Sequence, residues 1–513
     1  MRFARPFALA AVALSVTLTT GCGAATAPTG APSANNDGRI VVANFRAPVS
    51  NWALETDDAY ILSIAGCLET MTRYDQAQQK VVPMLSESWE QTAAKQWDFK
   101  LRAGVKFQDG TPMDAKAVAG SLNHVLDAIA PARAFNSKFI DAVKEIDATT
   151  VRVTTVNEDP LLPYRVASVN TGILSPASYT DKGIDPFGHC TGPFEPVSEK
   201  PSQSLTVDRN SEYWGGKVAL AGGEIRFIAE GATRATQVQT GEADISMSIP
   251  AASLNALDTD KSLSLEKTDS PRTATLYMNN SRAPFNNVEL RRAAQLSLDL
   301  NAISSSVYEG AAAPATGPFA PSEPWANKEL AVPQQDLEKA RKLVAESGYK
   351  AGKPLEVIAI VERGEFADVA AIIQANFAEA GLEVSVVTKE YGAVEPDLLA
   401  GNYDMVLSQR NRMIDIANPI GFLQADYTCE GSYNLSHYCN VSYDKLVQQA
   451  GSETDEKLRN ELYRKAGDIL AEDAANVWVV NEQAIDGVRN EVQGYVQDPL
   501  TRYILTATLS KSS

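Results

Sequence analysis

The side chains that could bind a metal or catalyse a reaction are few in this chain. Its only histidines are His124, His189 and His437, and none has the spacing of a metal-ligating pair. The chain contains no phosphate-binding GxxxxGK[ST] motif, no GxSxG nucleophile turn and no HExxH motif. The sequence therefore predicts no cofactor, no directly bound metal ion and no catalytic residues.

The five cysteines indicate an oxidising compartment. Cys22 follows an export signal, which leaves the even set Cys67, Cys190, Cys429 and Cys439. Of the three possible connectivities we expect Cys429–Cys439, which closes a short loop, together with Cys67–Cys190. A zinc site is disfavoured because the two early cysteines are isolated and the two late ones lack CxxC spacing.

Residues 1–22 have the pattern of an export signal. Two arginines precede an apolar run that is too short to span a bilayer, and Thr19-Thr20-Gly21-Cys22 follows it. Small residues before a cysteine resemble a bacterial lipobox, so we expect lipidation at Cys22, with ordinary cleavage a few residues later as the alternative. Residues 23–37 are rich in Ala, Pro, Gly, Ser and Thr and predict a flexible tether, with the folded part starting near Gly38.

Length and charge limit the architecture and the partners. A chain of 513 residues is long enough for two or more lobes, which implies a cleft between them. The formal net charge of −18 argues against nucleic acid as a partner.

Hydrophobic periodicity predicts an α/β fold. Between residues 355 and 410 strands alternate with helices, a pattern that builds a parallel sheet. An amphipathic helix is predicted over residues 113–129, with Asp114 as its N-terminal cap. A second helix is predicted to begin at a capping box that starts with Asn286, and a third has an apolar face that begins at Leu458. The last thirty residues are predicted to be strand-like.

Several motifs resemble the extracellular solute-binding proteins of family 5, which serve ABC importers of peptides and nickel. They are CLETMTRYD at 67–75, WDFKLRAGVKFQDGTPMDAKAV at 97–118, CTGPFEP at 190–196, NSEYWGG at 210–216, TGEADI at 240–245 and LYMNNSRAPFNNVELRRAAQLSLD at 276–299. The resemblance covers nearly the whole mature chain and follows the family's order.

The resemblance implies a bilobal periplasmic-binding-protein fold of the type II-like cluster C, with a two-strand hinge. Lobe I would comprise residues 38–274, with an extra subdomain at about 50–180, and the returning segment 483–513; lobe II would be 275–482. The protein is expected to act as a monomer on the outer face of the cytoplasmic membrane and to pass its ligand to a permease and ATPase complex after closing around it.

The resemblance also implies ligand-binding residues in RNRMIDIANP at 410–419. Peptide-binding members have a D-x-x-D-P segment whose first aspartate pairs with the ligand's α-ammonium group; Asp415 takes that place, and Asn418 stands at the second acidic position. Arg410 and Arg412 would suit a ligand carboxylate, or one of them could simply pair with Asp415.

The segment at 427–440 resembles the family's disulfide-closed loop beside the ligand, so Tyr433 and Asn434 are further candidates, together with Trp52. Three functions remain open: a receptor for dipeptides or oligopeptides, a receptor for a nickel or other metal chelate, and a secreted hydrolase with an unrecognised site.

Overall fold

The protein has an α/β fold, and the computed structural model describes residues 38–512. The expected signal, the tether and Cys22 lie outside these residues. Within them, no helix combines the length and apolar character that a membrane crossing requires.

The first part of the chain alternates strands with short helices. Its elements are β1 (Arg39–Asn44), α1 (Asp58–Ile64), β2 (Thr72–Asp75), β3 (Lys80–Pro83), β4 (Ser86–Ala93), β5 (Gln96–Leu101), α2 (Ala115–Leu126), β6 (Ile140–Asp147), β7 (Thr150–Thr155), α3 (Leu162–Arg165), β8 (Tyr179–Thr180), β9 (Gly183–Ile184), β10 (Phe194–Lys200), β11 (Ser204–Arg209), β12 (Gly222–Phe227), α4 (Gly231–Thr240), β13 (Ile245–Ser246) and α5 (Leu254–Asp258).

The second part contains the longer helices. Its elements are β14 (Leu263–Met278), α6 (Val288–Ser297), α7 (Leu300–Val307), β15 (Ala312–Pro314), α8 (Leu337–Glu346), β16 (Leu355–Ile360), α9 (Glu365–Ala380), β17 (Val384–Lys389), α10 (Tyr391–Leu399), β18 (Met405–Asn411), α11 (Ile420–Tyr427), α12 (Val441–Ser452), α13 (Glu456–Glu472), β19 (Asn476–Arg489), β20 (Val492–Gln493) and β21 (Ser510–Lys511).

Two long strands, β14 and β19, connect the lobes and confirm the predicted two-strand hinge. They pair antiparallel along both lobes, and the register shifts between Asp269 and Thr273. On one side of this shift β19 pairs with β13, and on the other β14 pairs with β18. This bulge interrupts the hydrogen-bonded ladder between β14 and β19 at the point where the two strands pass from one lobe to the other. We therefore locate the hinge at the bulge.

Each lobe has its own sheet pairing. In lobe I, β1 lies between β12 and β13 with both pairs parallel, and β10 and β11 extend the edge. In lobe II, β16 lies between β17 and β18, again with both pairs parallel, as the strand–helix alternation predicts. A separate four-stranded antiparallel sheet, in the order β4-β5-β7-β6, belongs to the region of the expected extra subdomain.

Three large buried apolar clusters and a fourth, smaller one hold this arrangement together. One contains lobe I residues from Ile40 to Met247 together with residues from Val488 to Leu509, and a second contains Ala274 of the hinge strand β14 together with lobe II residues from Leu276 to Val480. The third joins Tyr74, Ala134 and Leu161 of lobe I to the helices of lobe II. The lobes therefore share an apolar contact in this structure.

Local signals fix several element ends. The Asp114 carboxylate accepts a hydrogen bond from the Ala117 N–H at 2.9 Å and caps α2, as predicted. Helix α9 ends at Gly381, whose φ of 89° lies in the left-handed region that glycine tolerates. The predicted capping box at Asn286 is wrong by one residue, because the side chain of Asn287 accepts from the Glu289 N–H.

Two other predictions of the pattern are corrected. Leu458 is predicted on the apolar face of α13, but its side chain is 50% exposed, and Arg459 is instead the buried residue of the first turn. Between the end of β19 and residue 512, the last residue described, the only strands are the two-residue β20 and β21, although the apolar side chains of this segment pack on lobe I.

Candidate ligand-binding site

A cavity of about 390 Å³ lies where the two lobes meet the hinge. Its walls come from the β2–β3 hairpin of lobe I, from the hinge strand β14 and from the 322–325 segment of lobe II. The lining residues are Tyr74, Gln76, Gln79, Lys267, Thr268, Asp269, Ser270, Pro271, Ser322, Glu323, Pro324, Trp325, Met413 and Gln483. Ligand sites of binding proteins are concave and lie at domain interfaces, so this cleft is the candidate site.

Asp415 lies two residues beyond Met413, which lines the cavity, and contacts residues of both lobes; this contact is here called the cleft edge. Its Oδ2 accepts a hydrogen bond from Arg410 Nη2 at 3.2 Å, and its Oδ1 lies 3.8 Å from Nη1 of Arg133, which belongs to lobe I. The Asp415 side chain is 22% exposed. The neighbouring Ile414 carbonyl accepts a hydrogen bond from the Tyr60 hydroxyl of lobe I at 2.7 Å. The 414–415 segment therefore faces lobe I directly.

Arg410 is held from three sides. Besides Asp415, it forms an ion pair with Asp426 at 3.0 Å, and its guanidinium carbon lies 4.5 Å from the centre of the Tyr433 ring. Burial raises the pKa of Asp426 to about 7, although the Arg410 charge opposes that shift. Burial disfavours the charge on Arg410, but Asp426 and Asp415 outweigh it and raise its pKa. Arg410 is thus a cation at the cleft edge whose charge is balanced by two carboxylates of the protein, Asp415 and Asp426.

Arg412 is buried, and its ion-pair partner Glu323 lines the cavity. Its Nη2 donates to Glu323 Oε2 at 2.5 Å and its Nη1 donates to the Thr273 hydroxyl at 2.6 Å, while only 1% of its side chain is exposed. Arg410 lies inside β18, whereas Arg412 is the first residue after the strand ends at Asn411, so the strand geometry that places Arg410 does not extend to Arg412. The Arg412 guanidinium is therefore paired within the protein, and its contact with a ligand stays a prediction.

The side chains of three other predicted residues also form hydrogen bonds or pack within the protein. The Asn418 side-chain oxygen accepts from the Ile420 N–H and the Tyr463 hydroxyl and so helps to begin α11. The Asn434 amide donates to the Thr428 and Tyr438 carbonyls and organises its loop. Trp52 is 7% exposed and packs in the lobe I core. The contacts expected between these three residues and a ligand stay predictions.

Tyr433 does reach the cleft edge. Its ring lies between the guanidinium groups of Arg410 and Arg133, the latter at 5.9 Å, and its hydroxyl contacts that of Tyr391. The loop that carries it is closed by Cys429–Cys439, with a Cα–Cα distance of 4.4 Å. The structure also joins the other expected pair, Cys67 and Cys190, at a Cα–Cα distance of 5.3 Å.

Sequence analysis missed a group of charged residues at the hinge. Arg272 lies in the β14 bulge, and among residues 38–512 its side chain has no hydrogen-bond or ion-pair partner. Burial lowers the pKa of Arg272, and the charges of Glu482 and Arg363 also act on it. Glu482 is instead paired with Arg363 at 2.9 Å. Arg272 follows the polar stretch of β14 and precedes its buried stretch, but the pairing of its neighbours Glu482 and Arg363 could not be predicted from sequence.

The fold and the inter-lobe cleft define a solute-binding protein. The profile of the bacterial extracellular solute-binding proteins, family 5, matches residues 80–434, and the chain belongs to this family. The chain is 28% identical over 445 residues to the probable D,D-dipeptide-binding periplasmic protein of Escherichia coli strain K12, covering 83% of this chain and 84% of that protein.

Nickel-binding proteins are also among the relatives. The nickel-binding protein of Staphylococcus aureus is 23% identical over 509 residues, covering 98% of both chains. The crystal structure of a Brucella suis protein of the same name in complex with Fe(III)-EDTA superposes with a TM-score of 0.82 at 21% identity, covering 93% of this chain and all of that one. At that identity the superposition establishes the shared bilobal fold.

Proposed function

We propose that the protein is the binding component of an ABC importer that captures short peptides outside the cytoplasmic membrane. Asp415 would receive the peptide's α-ammonium group. The observation that carries this proposal is the position of the Asp415 carboxylate, which is partly exposed in lobe II and faces a lobe I cation at 3.8 Å. A carboxylate placed between two lobes offers a charge-assisted contact to a cation held there.

The size of the cavity favours a short ligand. Its volume of about 390 Å³ is near the lower end of the roughly 300–1,000 Å³ of small-molecule sites. The bulged β14–β19 pair permits the lobes to close around such a ligand, and the permease would then recognise the closed form. The dipeptide-binding relative from E. coli is consistent with this size.

Arg272 supports a ligand that also carries an anionic group. Its guanidinium has unfilled donors at the hinge, whereas Arg410 and Arg412 both pair with acids of the protein. We therefore assign the carboxylate-binding role that was expected for Arg410 and Arg412 to Arg272. A peptide, which has an ammonium group at one end and a carboxylate at the other, fits this division of charge.

The test is native mass spectrometry of the protein purified from cells without denaturation. A spread of adducts with the masses of short peptides is the expected result. Asp415→Asn should weaken binding of a retained peptide at least about tenfold, because it removes a charge-assisted contact. Asp404→Asn is the matched control, since Asp404 is also 22% exposed and pairs with Arg282 at 3.6 Å, but within lobe II alone. Equal loss in both variants, or no peptide adducts, would contradict the proposal.

A metal chelate is the second candidate, and Arg272 is again the observation that favours it. Among residues 38–512 no group of His, Cys, Asp and Glu side chains could hold a bare ion, so a metal would have to arrive with an anionic chelator. A single adduct with a metal isotope pattern would support this candidate. Binding should then require metal and chelator together.

We infer that the ligand is bound without being cleaved. The family consists of binding proteins, and the inter-lobe cleft described above explains binding without a nucleophile. Incubation of the protein with a defined peptide mixture should leave the mixture unchanged. New fragments would instead indicate a secreted hydrolase.

We further propose that the protein is a monomer anchored through lipid on Cys22. Mass analysis of the membrane-bound form should show an acylated cysteine as the first residue, and Cys22→Ala should release the protein. Light scattering of the purified protein tests whether it is a monomer.

We also propose that lobe I comprises residues 38–274 and 483–513 and that lobe II comprises residues 275–482. The separate apolar cores of the two lobes support these limits.

A further inference from the structure

Arg133 is placed in the cleft by a loop that is otherwise anchored to lobe I. Its neighbours Ala132 and Ala134 are each 1% exposed. The Asn136 amide donates to the Arg133 carbonyl at 3.1 Å, and Arg165 donates to the Ala134 carbonyl at the same distance. The Arg133 side chain, in contrast, is 64% exposed. A fixed backbone therefore presents a movable guanidinium group.

That group occupies the cation position beside Asp415. Arg133 Nη1 lies 3.8 Å from Asp415 Oδ1, and the guanidinium carbon lies 5.9 Å from the Tyr433 ring centre. A carboxylate and an aromatic face are the two surroundings that bind an organic cation. Both partners belong to lobe II, so the contact also links the two lobes.

We propose that Arg133 is an internal competitor for the ligand's ammonium group. In the ligand-free protein it pairs with Asp415 and helps to hold the lobes together, and a bound ligand cation displaces it. This inference rests on the proposed function, because it assumes that Asp415 receives a ligand cation.

Arg410 and Arg133, the two arginines that pair with Asp415, differ in exposure, in distance and in their other partners. Displacement of Arg133 alone by a ligand cation requires such a difference. Arg410 is 11% exposed, lies at 3.2 Å and is also held by Asp426 at 3.0 Å. Arg133 is mostly exposed, lies further away and has no second acid within ion-pair distance among the described residues. Exposed pairs are weak and are easily replaced by hydration. Arg410 is therefore the fixed cation, and Arg133 is the one that leaves.

Removing this competitor should have two effects. Without the inter-lobe pair, the open form of the ligand-free protein should become about three- to tenfold more populated relative to the closed form. Free-amine peptides should bind more tightly, up to the same factor, because no internal cation has to be displaced. Both effects depend on Asp415.

The experiment compares Arg133→Gln with Arg282→Gln in the full chain. Arg282 is a matched control because it is 51% exposed and lies 3.6 Å from Asp404, inside lobe II. Distances between spin labels on the two lobes report the open population without ligand, and calorimetry with trialanine and N-acetyltrialanine reports affinity. A larger open population in Arg133→Gln alone, and in the unchanged protein at high salt, is the expected result.

Other outcomes overturn the inference or separate it from the proposed function. An unchanged lobe distance in Arg133→Gln, or weaker trialanine binding, would overturn it, since Arg133 would then be inert or a ligand contact. In an Asp415→Asn background, Arg133→Gln should have no further effect on the lobes, and an effect there would also overturn it. If no peptide binds any form but the lobes still open in Arg133→Gln alone, the peptide proposal fails while the inter-lobe contact stands.

Discussion

Replacing Glu323 with glutamine should destabilise lobe II by about 3–5 kcal/mol, the cost of leaving one buried charge without its partner. Glu323 Oε2 lies 2.5 Å from Arg412 Nη2, and the two side chains are only 10% and 1% exposed. The Thr273 hydroxyl, at 2.6 Å from Arg412 Nη1, accepts a hydrogen bond but carries no charge. The guanidinium would therefore remain buried without a counter-ion.

Urea unfolding of the ligand-free protein measures this effect. Trp325 lies two residues from Glu323, is 4% exposed and provides a fluorescence signal from the same region. With a slope of roughly 3 kcal/mol per molar for a large chain, the midpoint should fall by about 1 M or more. As a control, Glu356→Gln removes an exposed pair with Lys389, whose side chains are 38% and 41% exposed, and should cost less than about 1 kcal/mol.

The double variant Glu323→Leu with Arg412→Met should recover most of the loss, because apolar residues of similar volume often replace a buried ion pair without cost. A loss below about 1 kcal/mol in Glu323→Gln would refute the reasoning. So would an Arg412→Met variant that loses ligand binding with unchanged stability, since Arg412 would then contact the ligand.

The remaining predictions concern pH and disulfides. Burial raises the pKa of Glu69 from an ordinary 4.5 to about 7, so the folded state binds this proton more tightly than the unfolded state. The contribution of Glu69 to the free energy of unfolding is fully present below about pH 4.5 and is lost as the pH rises through about 7. Glu69 should therefore lower the free energy of unfolding at pH 8 by roughly 3 kcal/mol relative to pH 5, and Glu69→Gln should reduce the measured difference by about that amount; an unchanged difference in Glu69→Gln would contradict it. Removing Cys67–Cys190, which are 123 residues apart, should cost about 5 kcal/mol, against about 3 kcal/mol for Cys429–Cys439, which are 10 apart. Denaturant titration of paired serine variants measures both, and the reverse order would contradict the loop-length argument.

Local rules predicted much of the fold. The strand–helix alternation at 355–410 gave β16, α9, β17 and β18 in the observed order, because buried parallel strands and amphipathic helices have different periodicities. The segment after Arg489 was harder to predict. Its residues pack on lobe I, and their apolar side chains resemble those of strands although most have no ladder partner.

The site was less predictable than the fold. The position of Asp415 at the cleft edge follows from a segment that resembles the family's motif, but the partners of Arg410 and Arg412 depend on the end of β18 and on the distant residue Glu323. Arg133 lies 282 positions from Asp415 in a loop with no motif of its own. Only the approach of one lobe to the other brings such residues together.

The order of charges at the cleft edge determines which contact a ligand can exchange. Arg133, Asp415, Arg410 and Asp426 alternate in sign, so each acid already has a cation. A ligand ammonium that displaced Arg410 would leave Asp426, whose side chain is 2% exposed, without a partner. Displacing Arg133 instead returns to water a guanidinium that is already mostly exposed and keeps the group of charges neutral. Because Arg133 is the only one of the four on lobe I, binding of a cation at Asp415 must change a contact between the lobes.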